Sequence, residues 1–111
     1  MNIETVNKNN IKIFYLKGDF TITSLQEFQD NVFPALDEPI DILGIDMAEV
    51  SFIDSSGIGK LVQITNLSKN KNKKLYLIDI QGRVLQLLKS VRLDSFFTIT
   101  DKHSFAENYL I

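Results

Sequence analysis

Ser51-Phe52-Ile53-Asp54-Ser55-Ser56-Gly57-Ile58-Gly59 joins two segments of different periodicity. Upstream, Ile40 to Met47 carries Ile40, Ile42, Leu43, Ile45 and Met47, the near-continuous apolar run expected of a strand covered on both faces. Downstream, Ile58, Leu61, Val62 and Thr65 recur at i, i+3, i+4 and i+7, which predicts a helix from about Ser55 to Lys69. The nine residues therefore hand a buried strand over to a helix. Asp54, Ser55 and Ser56 are all good N-cap residues, and only one of them can cap. Gly57 and Gly59 fall inside the first turns, where each costs on the order of 1 kcal/mol relative to Ala. One explanation is a single cap with glycines that let helix and sheet approach closely. The other is an exposed hydroxyl at a helix N-terminus, with bare backbone beside it for a partner to approach. Elementary physics leaves both open.

Working outward, Ile11 to Leu16 alternates like a strand and ends at Gly18-Asp19. A shorter strand is expected around Ile3 to Val6, with Asn7-Lys8-Asn9-Asn10 as the hairpin turn. Ser24-Leu25-Gln26-Glu27 has the form of a capping box, followed by the apolar stripe Leu25, Phe28, Val32 and an end near Pro34. Asn70 to Lys74 predicts a turn, Leu75 to Ile80 a buried strand, and Val84, Leu85, Leu87, Leu88 and Val91 a third helix. Phe96 to Ile99 suits an edge strand and Ser104 to Leu110 a last helix. Leu67 lies opposite Ile58 on the helical wheel, so cover by a second helix is expected there rather than a partner patch. Strands alternating with helices behind an N-terminal hairpin predict an α/β domain. Its sheet should be mixed but mostly parallel, with four or five strands and about four helices.

Composition narrows the function. The 111 residues, expected to form one domain over 1–111, carry a net charge of −2 and no cysteine. Disulfide scaffolds, thiolate nucleophiles and thiolate zinc sites are excluded together. Binding to nucleic acid through bulk positive charge is not expected either. No apolar leader or bilayer-length run is visible, so a cytoplasmic chain without membrane insertion is the expectation. The single His103 cannot build a histidine metal site, and the carboxylates show no ligand spacing. Gly57-Ile58-Gly59-Lys60 superficially suggests a phosphate loop. That pattern would need glycine at Asp54 and a hydroxyl at Leu61, and it fails at both. Lys69, Lys71, Lys73 and Lys74 suit a solvated turn at a helix C-terminus better than a binding patch. No catalytic residue, metal or cofactor is predicted.

The run Phe52-Ile53-Asp54-Ser55-Ser56-Gly57-Ile58-Gly59 resembles the signature of the STAS domain, shared by bacterial anti-sigma factor antagonists and sulfate-transporter tails. Gly18-Asp19-Phe20 is similar to that family's Gly-acid-apolar element, Asp41 to Met47 and Leu75 to Ile80 to its strands, and Val84 to Phe97 to its terminal helix. The resemblance implies a STAS-like fold and a phosphorylation switch. In antagonists of this family the serine after the Asp accepts phosphate from a partner kinase. Here that is Ser55, with Ser56 as the fallback. The implied partners are an ATP-binding, histidine-kinase-like anti-sigma factor serine kinase and a metal-dependent serine phosphatase. The implied contact surface takes Gly18, Asp19, Thr21 and Thr23 from one loop, Asp54, Ser55, Ser56 and Gly57 from the corner, and Lys60 and Gln63 from the helix. Thr21 replaces an acid common in the family, and Val91-Arg92-Leu93 lacks a common glycine. A regulatory or scaffold subunit of the same fold, sensing nucleotide or attached to a transport complex, is the alternative. A receiver domain phosphorylated on Asp54 lacks the acidic pair for Mg²⁺, and a Ser55–His103 hydrolase lacks the nucleophile elbow.

Overall fold

The computed structural model describes residues 1–111. Strands β1 (Asn2–Lys8) and β2 (Ile11–Lys17) form a hairpin whose turn is Asn9-Asn10, with Asn9 at φ +56°. The first strand is longer than its apolar residues alone predict, because backbone pairing with β2 carries it through Asn7 and Lys8. Helix α1 (Leu25–Val32) follows and runs into a 3₁₀ turn at Phe33–Asp37, where Pro34 cannot supply an N–H to continue the helix. Strand β3 (Ile42–Glu49), helix α2 (Ser55–Asn70), strand β4 (Lys74–Ile78) and helix α3 (Gly82–Ser90) alternate as expected. A two-residue strand β5 (Ile99–Thr100) and helix α4 (Lys102–Tyr109) complete the chain. The strands lie in the order β1-β2-β3-β4-β5, antiparallel in the first pair and parallel in the rest. This is the mixed α/β sheet that the alternation predicts.

Two cores flank the sheet. On one face Phe14, Leu16, Leu43, Ile45, Met47 and Leu77 pack against Phe28 and Val32 of α1, Ile58, Leu61 and Ile64 of α2, and Val84 and Leu88 of α3. On the other, Ile11, Ile13, Ile42 and Ile78 are covered by Phe105 of α4, with Tyr76 and Tyr109 at its margin. The Tyr76 and Tyr109 hydroxyls hydrogen-bond each other. Burial and that bond push the Tyr76 phenol up to about 12, so it stays neutral against the sheet.

Several local expectations are corrected. The chain enters α1 through a 3₁₀ turn (Ile22–Ser24), so Ser24 does not form a box with Glu27. Its buried hydroxyl instead accepts the Thr21 N–H at 2.9 Å and donates back to the Asp19 or Thr21 carbonyl. Phe96 and Phe97 lie before the last strand rather than in it, and Val91 falls beyond α3 and is exposed. The turn after α3 is made without a glycine. Arg92 takes φ +60° at the end of α3, where Leu93 N–H reaches back to the Leu88 carbonyl at 2.8 Å. A non-glycine residue there is disfavoured by roughly 1–2 kcal/mol. Leu67 is half-buried and packs at the margin of the larger core, so it is neither free nor central.

Candidate switch site

The site is built where two loops leave the carboxyl ends of adjacent parallel strands. Gly18 turns the chain at φ +108°, a conformation that glycine adopts without steric cost. The loop from β2 then runs beside the loop from β3 as an extension of their pairing. Gly18 N–H donates to the Glu49 carbonyl (3.1 Å), Phe20 N–H to Phe52 (2.9 Å) and Asp54 N–H to Phe20 (3.2 Å). Residues more than thirty positions apart are thereby placed in one corner. The fully buried Phe20 ring packs against Phe28, centroids 4.6 Å apart and planes tilted by 35°, and fixes this loop to the core.

Asp54 wins the competition to cap α2. Its Oδ1 accepts the Gly57 N–H at 3.0 Å, and its Oδ2 accepts the Ile22 N–H of the neighbouring loop at 3.1 Å. One carboxylate thus caps the helix and clamps the two loops together. With both oxygens engaged by backbone amides, Asp54 is poorly placed to act as a receiver-type phosphoacceptor. Asp54→Ala should lose the cap and orphan the Ile22 amide, lowering stability by about 2 kcal/mol in denaturant titration, whereas Asp54→Asn should recover part of that.

Because Asp54 takes the cap, Ser55 stands exposed at the first position of α2, and Ser56 behind it is half-buried. Thr21 and Thr23 join hydroxyls at 3.0 Å on the facing loop, and Asp19 is exposed beside them. Gly57 is buried for a reason of contact. A Cβ there would sit 2.4 Å from the Phe20 carbonyl oxygen and 2.8 Å from Ile53 Cγ1. Gly59 is different, since a Cβ there would meet nothing within 4 Å, and the residue presents bare backbone to solvent. Close approach thus explains Gly57, and at Gly59 no contact requires a glycine.

Lys60 and Gln63 are placed less simply than their helix positions suggest. Lys60 Nζ donates to Gln29 Oε1 of α1 at 2.6 Å and to Gln63 Oε1 at 3.2 Å, and it lies 5.2 Å from the Phe33 ring centroid. It ties α2 to α1 as well as bordering the surface. Two apolar residues of the corner are absent from the contact surface that the resemblance implies. Ile22 is 67% exposed and Phe52 50% exposed, and each belongs to one of the two clamped loops. Phe52 also lines a groove of about 360 Å³ with Ser51, Arg83, Val84 and Leu87. The signal was an apolar residue in a turn-forming stretch, but only the loop pairing shows that both side chains face out.

Other candidates fall elsewhere. His103 is exposed on α4, which covers the opposite sheet face from α2, and its Nε2 lies 2.9 Å from Glu107 Oε1. Of the lysine cluster, Lys69 lies 4.9 Å from the Phe96 ring centroid and Lys73 donates to the Glu38 and Ile40 carbonyls. Lys71 donates to Asp37 at 2.8 Å and holds that carboxyl below its usual range. No helix is long and apolar enough to cross a membrane.

A mixed sheet whose parallel strands feed an Asp-Ser-Ser-Gly helix start defines an α/β domain of the STAS type. The chain belongs to the STAS domain family, whose model matches residues 2–106. An anti-sigma-B factor antagonist of Staphylococcus epidermidis is 22% identical over 101 residues, covering 91% of this chain and 94% of that one. A crystal structure from Thermotoga maritima, described as a candidate anti-sigma factor antagonist, superposes with TM-score 0.86 at 20% identity, over 96% of this chain and 92% of that one. The unphosphorylated form of the anti-sigma factor antagonist SpoIIAA gives TM-score 0.75 at 12% identity, over 98% and 97% of the two chains. The phosphorylated form of that Bacillus protein gives 0.74 at 11% identity, over 96% and 98%.

Proposed function

We propose that this chain is an anti-sigma factor antagonist that is switched by phosphorylation of Ser55. Unmodified, it binds an anti-sigma factor serine kinase with an ATP-binding, histidine-kinase-like fold. The kinase phosphorylates Ser55 and is released, and a metal-dependent serine phosphatase restores the binding form. The chain supplies a hydroxyl and a docking surface, and its partners supply the chemistry. The observation that carries this reading is the division of labour at the helix start, where Asp54 caps and leaves the neighbouring serine exposed. The names of the relatives, and the existence of SpoIIAA in both phosphorylation states, support it.

The physical consequences suit a switch. A phosphoryl group adds about −1.5 to −2 charges at neutral pH. At a helix N-terminus the dipole and free N–H groups tolerate an anion, so the domain stays folded. A partner seated on Ile22, Phe52 and the Ser55 corner would instead meet a hydrated dianion beside Asp54. The chain's own charge of −2 would nearly double, with the whole increment at one spot. Incubation with ATP and a cognate anti-sigma factor kinase, followed by peptide mass spectrometry, should place a single phosphate on Ser55. A phosphate on another residue, or none with an active kinase, would remove the mechanism.

A further inference from the structure

The edge of the sheet formed by β1 offers a second interaction surface. All seven of its residues pair with β2, from Asn2 with Lys17 to Lys8 with Ile11, and the strand's other side is the end of the sheet. The two-residue turn makes Lys8 and Ile11 the closing pair, which exchanges both its hydrogen bonds. Alternation then directs the N–H and C=O groups of Asn2, Glu4, Val6 and Lys8 inward to β2. Those of Ile3, Thr5 and Asn7 point out from the edge. Every residue of the strand except Ile3 is exposed, Val6 to 49%. The register with β2 is unbroken, so no bulge twists this edge away.

We propose that two copies of the chain associate through β1, antiparallel about a two-fold axis at Val6, to make one continuous ten-stranded sheet. The strand is complementary to itself in that register. Val6 faces Val6 at a non-hydrogen-bonded position, where side chains approach most closely. Glu4 faces Lys8 of the other copy on both sides of the axis, and Thr5 and Asn7 exchange four backbone hydrogen bonds. Centring on Thr5 instead would add backbone bonds at the strand ends, but it would set Glu4 against Val6 and leave Lys8 opposite Asn2. A parallel pairing would bring like charges together. The present partners of these side chains are weak competitors. Glu4 lies 3.4 Å from Lys17 in an exposed pair, and Lys8 reaches the Leu110 carbonyl at the surface.

A strand pair alone sits at the small end of interface sizes, so the dimer should be weak and reversible, with a dissociation constant on the order of 100 μM. Sedimentation of the full chain over a concentration series should show monomer and dimer exchanging. Thr5→Pro removes an outward N–H without touching the β2 ladder and should abolish the dimer. Glu4→Lys should weaken it at least tenfold, and Glu4→Lys with Lys8→Glu should restore it, with circular dichroism verifying the fold of each variant. In the wild type, amide exchange at Thr5 and Asn7 should slow as concentration rises. A chain that stays monomeric to millimolar concentration would overturn the proposal. So would a dimer indifferent to both Thr5→Pro and Glu4→Lys, or an edge protected only when another protein's strand is supplied. None of these readouts depends on Ser55 or on the kinase.

Discussion

A Ser55→Asp variant is expected to fold like the wild type and to bind the anti-sigma factor kinase about a hundredfold more weakly. The two effects separate because one charge acts in two environments. Within the domain, a carboxylate at the first position of α2 gains roughly 0.3–1 kcal/mol from the helix dipole, offset by its neighbour Asp54. Stability should therefore change by less than about 1 kcal/mol. At an interface the same charge is desolvated beside a second carboxylate, and like-charge juxtaposition there costs several kcal/mol. Each 1.4 kcal/mol is a tenfold loss, so roughly 3 kcal/mol gives the hundredfold effect. Thermal melts and titration calorimetry with the unmodified kinase would read the two quantities separately. Ser55→Ala should keep full affinity and lose phosphorylation. A folded Ser55→Asp chain that binds as tightly as wild type would sink charge gating as the mechanism.

Gly57→Ala and Gly59→Ala, two residues apart on one helix, are expected to move stability in opposite directions. At Gly57 the added methyl would lie 2.4 Å from the Phe20 carbonyl, which accepts the Asp54 amide, so backbone must shift and the loop clamp must loosen. Overpacking of this kind costs about 1–3 kcal/mol, and for a domain near this size the melting temperature should fall by roughly 5–15 °C. At Gly59 the methyl meets nothing within 4 Å, and the helix gains about 1 kcal/mol of propensity, raising the melting temperature by roughly 5 °C. The variants also probe the surface. If the bare backbone at Gly59 admits the kinase closely, Gly59→Ala should bind more weakly despite being more stable. Equal destabilisation by both variants would show that the helix start is not packed as described.

Much of the fold could be read from the chain. Continuous apolar runs marked β3 and β4, 3.6-residue periodicity marked α2, and the polar-to-apolar hand-over between them marked the corner. Errors arose where pairing or packing overrode local pattern. Asn7 and Lys8 became strand because β2 supplied partners, and Ser24 turned its hydroxyl backward because the chain entered α1 through a 3₁₀ turn. Lys60, named from the resemblance as a contact residue, also reaches across to Gln29 on α1. The resemblance to STAS domains, carried by the same corner residues, is confirmed as a family assignment by the match over residues 2–106.

Sequence by itself determined that a helix begins at Asp54-Ser55-Ser56 after a buried strand, because caps and periodicity are set within a few residues of chain. It could not determine which of the three would cap. That choice was made by the Ile22 amide, thirty-two residues earlier in the chain, which grips the second oxygen of Asp54 while Gly57 takes the first. An acceptor that satisfies two backbone donors outcompetes a hydroxyl that could satisfy one. Only the packed loops decide that competition, and its result leaves Ser55 exposed.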